Sequence, residues 1–128
     1  MESNSKSLSK AEIKKIALAD DFHIAPLRED GKTYGTLTWI WSVSVDDLLF
    51  VRAYHGVKSR WYIAAVNQKS GKIEAAGFKK QVRFKTVSGE IQDRIDEAYK
   101  EKYQKSPYLK SMISQKAKDA TIQIVGTK

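Results

Sequence analysis

The chain has 128 residues, 41% of them hydrophobic and 30% charged, with a net charge of +8, a balance that suits one globular domain and not a disordered segment. It contains no cysteine, which excludes disulfides, thiolate chemistry and thiolate-bound metals. The polar start MESNSKSLSK has no apolar core of a secretory signal and no apolar run is long enough to span a bilayer, so a soluble, cytoplasmic protein is expected.

Residues 1–8 read as a disordered tail and residues 9–128 as a single domain. Ser9 with Glu12 forms a capping box, and Leu8 with Ile13 a hydrophobic staple. Ile13, Ile16 and Ala17 give the following helix an apolar stripe running to about Asp20. A strand is expected over Phe22–Leu27, then a turn at REDG with Gly31 able to take positive φ. A long strand follows over Thr33–Val45. Leu37, Trp39, Trp41, Val43 and Val45 alternate with polar residues, and Ile40 is the one exception. Asp46 and Asp47 make a tight turn. The next strand, Leu48–Arg52, is apolar on both faces and is expected to be central. Gly56 ends it, and a helix starts at Ser59 with RWYIAAV. Strands over Lys72–Ala76 and Lys79–Val87 are antiparallel neighbours across Gly77. Glu90–Tyr103 is an amphipathic helix with Glu90–Arg94 and Asp96–Lys100 as local ion pairs. Pro107 opens a further helical segment to about Lys118, and ATIQIV closes the chain as a strand with Ile122 and Ile124 inward. Strands in antiparallel series, with helices around them, give an α+β, barrel-like antiparallel sheet of about six strands with flanking helices.

Three groups of residues carry candidate chemistry. In VRAYHGVKSRWY, Arg52 ends a strand, Ser59 caps a helix start, and Lys58 and Arg60 flank it. Free backbone N–H groups, a hydroxyl and cations together suit a phosphate; a solvated basic loop explains them equally well. Thr36, Thr38 and Ser42 place hydroxyls on the polar face of the long strand, either for a ligand or for cross-strand pairing. Trp39, Trp41 and Trp61 can stack on a planar ring, although alternation puts Trp39 and Trp41 on the core face. His23 and His55 have no partner at metal-ligand spacing, and no metal is expected. No Walker loop, dinucleotide glycine motif or nucleophile elbow occurs. Residues 65–128 carry fourteen Lys/Arg against seven Asp/Glu. This excess permits polyanion binding, but the aromatics gather in the less basic half, which weighs against nucleic acid.

The stretch REDGKTYGTLTWIWSVSVDDLLFVRAYHGVKSRWYIAAV resembles the split β-barrel flavin-binding superfamily, which contains pyridoxamine-phosphate oxidases and deazaflavin-dependent nitroreductases. HIAPLREDGKTYGTLTWIW, VRAYHG with SRWY, and KSPYLKSMIS are more closely similar to a family of small bacterial proteins with a domain of unknown function. The resemblance implies a split β-barrel that forms a homodimer and holds FMN or a deazaflavin at the dimer interface, as a small oxidoreductase. It implies that the ring lies against Thr36, Thr38, Trp39 and Trp41, and that Arg52, Lys58, Ser59 and Arg60 hold the phosphate; Trp61, placed by the sequence at the mouth of that site, is expected to form a wall of it. The chain departs from the pyridoxamine-phosphate oxidases in lacking their full signature and in being short. A ligand-free interaction domain and a basic polyanion- or nucleic-acid-binding module are the alternatives.

Overall fold

The computed structural model describes residues 8–127. Residues 1–7 of the expected tail lie outside that range. Leu8, the last residue assigned to the tail, packs against the core instead. Helix α1, Lys10–Leu18, starts at the expected capping box: Glu12 N donates to Ser9 Oγ at 3.1 Å and Ser9 N to Glu12 Oε1 at 3.0 Å. Two N–H groups that the helix start would leave orphaned are thereby satisfied. Strand β1 is His23–Pro26. The turn after it closes on Asp30, whose carboxylate accepts from Lys32 N and Thr33 N.

The long strand expected over Thr33–Val45 is not continuous. It becomes a lone bridge from Tyr34 to Leu27, a short strand β2, Thr38–Trp39, and strand β3, Ser42–Val45. The break falls at Ile40 and Trp41, where the sequence alternation has its exception. Ile40 turns into one core while Trp41, Val43 and Val45 enter another, and Trp39 is left 49% exposed. Alternation therefore describes Trp41–Val45 and fails for Leu37 and Trp39, both exposed.

Strand β4 is Leu48–Arg52, joined to β3 by Asp46 and Asp47 at φ 53° and 64°, the positive pair that a tight hairpin turn requires. A 3-10 turn, Gly56–Lys58, leads into helix α2, Arg60–Gln68. Strands β5, Ser70–Ala75, and β6, Phe78–Thr86, form a hairpin through Ala76 and Gly77 at φ 51° and 84°. Helix α3 is Ile91–Lys102 and strand β7 is Thr121–Gly126. The helical segment expected from Pro107 is two short helices, α4, Leu109–Met112, and α5, Gln115–Lys118. Pro107 sits in the turn before α4, and Ser114 breaks the segment by accepting from Ala117 N to cap α5.

The seven strands form one antiparallel sheet in the order β2-β1-β5-β6-β7-β4-β3. Its two edges, β2 and β3, are consecutive in the chain. A flat sheet of this order would separate them by about 29 Å, yet the three Cα steps from Trp39 to Ser42 reach at most about 11 Å. The sheet must therefore curl into a half-barrel. The expected class, α+β with a barrel-like antiparallel sheet and flanking helices, is what forms, with seven strands because the expected long strand splits in two.

The curl creates two cores. Inside the half-barrel, Ile24, Ile73, Val82, Leu49, Val51 and Ile122 pack with Ile13 and Ile16 of α1 and Ala65 of α2. On the outside of β3–β4, Trp41, Val43, Val45 and Phe50 pack against Ile95, Tyr99 and Tyr103 of α3 and Met112 of α4. Strand β4 is thus apolar on both faces because it separates the two cores. Each fully buried branched or aromatic side chain contributes about 1.5–3 kcal/mol.

The local ion pairs expected on α3 do not form. Arg94 pairs with Asp46 in the β3–β4 turn, Asp96 pairs with Arg52 and Lys118, and Lys100 pairs with Glu97. An exposed i,i+4 pair is worth only about 0.2–0.5 kcal/mol, so partners supplied by packing prevail for Arg94 and Asp96, and Lys100 turns to Glu97 on its own helix.

Candidate functional site

A cleft of about 830 Å³ opens where the end of β4, the start of α2, the β2–β3 break and the α3–α4 connection meet. Thr38, Trp39, Trp41, Arg52, Ser59, Arg60 and Trp61 line it, so the fold brings together seven of the nine residues singled out from the sequence. Thr36 and Lys58 are exposed and do not line it. Thr36 lies in the loop before β2 and Lys58 at the end of the 3-10 turn.

Arg52 cannot serve as the expected phosphate anchor. It is fully buried and its five N–H donors are spent on the protein. Nε donates to Thr121 Oγ1 at 3.1 Å. Nη1 donates to Asp96 Oδ1 at 2.6 Å and Met112 O at 3.1 Å. Nη2 donates to Gln92 Oε1 at 2.7 Å and Gln92 O at 3.3 Å. Its guanidinium also lies 5.3 Å from the centre of the Tyr99 ring. Arg52 ties α3, α4 and β7 to β4 beneath the cleft. The sequence shows a cation at a strand end and gives no sign of the partners Gln92, Asp96 and Thr121, which lie 40, 44 and 69 residues away.

Ser59 stands at the N-cap of α2 with φ −61° and ψ 135°, but its side chain makes no capping bond. Its backbone N–H goes to Gly56 O, while its hydroxyl oxygen is buried without a hydrogen-bond partner among the described residues. The capping role expected from the sequence is therefore not taken up, and the hydroxyl stays free. Gly56, at φ +80°, lets the chain turn here; the Lys116 side chain packs where its Cβ would stand. The first intrahelical bond of α2 runs from Ile63 N to Ser59 O, so the N–H groups before Ile63 have no acceptor within the helix. Arg60, the first residue of that turn, is exposed.

Aromatic side chains supply most of the large groups in the rest of the cleft. Trp41 stacks on Tyr103, with ring centres 3.9 Å apart and planes within 4°. Trp61 is partly buried against the barrel core. Trp39 is held at the rim by its indole N–H, which donates to Asp20 O at 2.9 Å. Tyr54 and Tyr108 meet edge to face at 6.0 Å, and His55 meets Tyr54 at 5.1 Å. Asp20, Tyr103 and Tyr108 escaped the sequence reading, because they come from the ends of α1, α3 and the turn before α4, and only the fold gathers them.

Beside this wall Lys102 Nζ donates to Ser42 O at 2.7 Å. Burial lowers its pKa to about 8, against the opposing pull of Asp20 and Asp21. Burial pushes the Tyr99 and Tyr103 phenols well above their ordinary range, so both remain protonated donors.

Fold and cleft together define an α+β half-barrel protein with an aromatic-walled pocket at a helix start. Residues 12–124 match the family described as "Uncharacterized protein conserved in bacteria (DUF2255)", and the chain belongs to that family. No curated protein matches the chain significantly. Among solved structures, a conserved hypothetical protein from Mycobacterium tuberculosis is similar, with a TM-score of 0.65 and 15% sequence identity, over 100% of this chain and 86% of that one. At that identity the likeness concerns the fold. No helix of the described residues is long and apolar enough to cross a membrane.

Proposed function

We propose that the cleft binds a phosphorylated planar heterocycle, FMN or a deazaflavin, and that the protein works as a small homodimeric oxidoreductase built around it. The observation that carries this reading is the Ser59 hydroxyl, buried and unpartnered at the start of α2 in an aromatic-walled cleft. A buried hydroxyl without a partner costs free energy, and a phosphate oxygen would relieve that cost. The phosphate is held by the free N–H groups opening α2, by Arg60, which replaces Arg52 as the guanidinium of the clasp, and by the Ser59 hydroxyl, which rotates about χ1 out of its buried position to reach the cleft. Thr38, Trp39 and Trp61 border the ring. The volume, about 830 Å³, falls within the roughly 300–1,000 Å³ of small-molecule sites. When bound, such a ring supplies the redox chemistry, and the chain supplies anchoring, orientation and exclusion of water. The half-exposed Trp39, Tyr54 and Tyr108 at the rim leave an apolar border for the second protomer to cover.

The test is an absorbance spectrum of freshly purified protein followed by calorimetric titration with FMN and with a deazaflavin. Saturable 1:1 binding of one of them is expected. Ser59→Ala combined with Arg60→Ala should weaken it at least about tenfold, the loss of one or two charge-assisted bonds. An absence of binding to both ligands refutes the reading.

A further inference from the structure

A second pair of polar groups lies in the same cleft, away from the α2 start in sequence and on different elements. Asp20 follows α1 and Tyr103 follows α3, and both line the pocket. Both are held in place. The Asp20 backbone carbonyl accepts the Trp39 indole N–H at 2.9 Å. The Tyr103 ring is stacked on Trp41, and its hydroxyl oxygen accepts Ser42 N–H at 3.3 Å. With one lone pair so occupied, the hydroxyl proton has Asp20 Oδ1 at 3.3 Å or Ser42 O at 3.4 Å as protein acceptors. Both are long against the usual O–H···O distance of about 2.7–2.8 Å, and a better acceptor would take that proton.

We infer that Asp20 and Tyr103 form an adjacent acceptor and donor that read a ring N–H beside a ring carbonyl, the edge of a pyrimidinedione. The Asp20 carboxylate accepts the ring N–H, and the Tyr103 hydroxyl turns from Asp20 to donate to the neighbouring carbonyl. The carboxylate also repels a second phosphate at this end. The ligand class is thereby narrowed to one whose anionic group lies at the opposite terminus and whose imide-type edge is unsubstituted. This inference rests on the proposed reading of the cleft and deepens it.

The experiment compares FMN with its N3-methyl derivative, in which the ring N–H is blocked, by calorimetric titration of wild type, Asp20→Ala, Tyr103→Phe and Ser59→Ala. Urea midpoints are measured in parallel so that only folded variants are compared. Wild type should prefer FMN by about tenfold or more, the effect of one lost hydrogen bond to a charged group. Asp20→Ala should lose that preference. Tyr103→Phe should weaken FMN binding while keeping the ring stack with Trp41. Ser59→Ala should weaken both ligands equally and keep the preference. Equal affinities in wild type, or a preference that survives Asp20→Ala, overturn the edge-reading role while leaving the phosphate site standing. If wild type binds neither compound, the FMN form of the cleft reading fails and the edge assignment falls with it.

Discussion

Arg52, Ser59 and Lys102 show how little a residue type says before its surroundings are known. Arg52 ends a strand beside a basic loop, yet every donor of its guanidinium is taken by Gln92, Asp96, Met112 and Thr121. Arg52→Met should therefore cost about 3–5 kcal/mol, since Gln92 and Thr121 would lose their buried partner and Asp96 would keep only the partly exposed Lys118; urea unfolding measures it, and a loss below about 1 kcal/mol contradicts the network. Ser59 sits where a helix cap belongs but makes no capping bond. A capping serine replaced by alanine costs about 0.5–2 kcal/mol. Ser59→Ala should instead leave stability unchanged or slightly raised, and a loss in the capping range would show that the hydroxyl caps after all. Burial holds the Lys102 pKa at about 8 in the folded chain, below its ordinary 10.5. Between those values the unfolded chain holds more protons, so this residue's contribution to stability rises with pH across about 8 to 10.5. Subtracting the stability profile of Lys102→Met from that of wild type should isolate that rise; a flat difference contradicts the burial of Lys102.

At the scale of elements, the signals that the sequence carries are local ones. The Ser9–Glu12 capping box, the Asp46–Asp47 turn and the Gly77 hairpin each lie within a few residues, and each appears as expected. Strands β4, β5, β6 and β7 are legible for the same reason, through alternation or continuous apolarity. The division of the long strand at Ile40–Trp41 is not legible, because its cause is that one half pairs back to β1 and the other forward to β4, at opposite edges of the sheet. The rerouting of the α3 ion pairs has the same origin. Close packing supplies a test at this scale. A Cβ on Gly71 of β5 would stand 2.6 Å from Ala25 O and Pro26 Cα of β1 and 2.9 Å from Phe84 Cε2. Two of those atoms are backbone, so relief requires β1 to move. Gly71→Ala should destabilise by at least about 1–3 kcal/mol, read from the thermal or urea midpoint, and a neutral effect would contradict the β1–β5 register.

For the whole molecule, the decisive feature is that β2 and β3 are chain neighbours at opposite edges of a seven-strand order. Closing that distance curls the sheet, sets β4 between two cores, and places the strand break beside the start of α2. The cleft is a product of this closure. That is why seven of its fifteen lining residues could be named from the stretch 38–61, while Asp20, Tyr103 and Tyr108, delivered from the far ends of helices and turns, could not. The same closure separates roles that the sequence merges: Arg52 holds the floor, while Ser59 and Arg60 line the cleft mouth at the start of α2. The most direct measurement of this account is calorimetric titration of FMN and a deazaflavin into wild type, Ser59→Ala and Arg60→Ala. The account predicts saturable binding of one ligand to wild type, weakened at least about tenfold in the variants, with urea midpoints unchanged. Wild-type protein that binds neither ligand, or variants that bind as tightly as wild type, would contradict it.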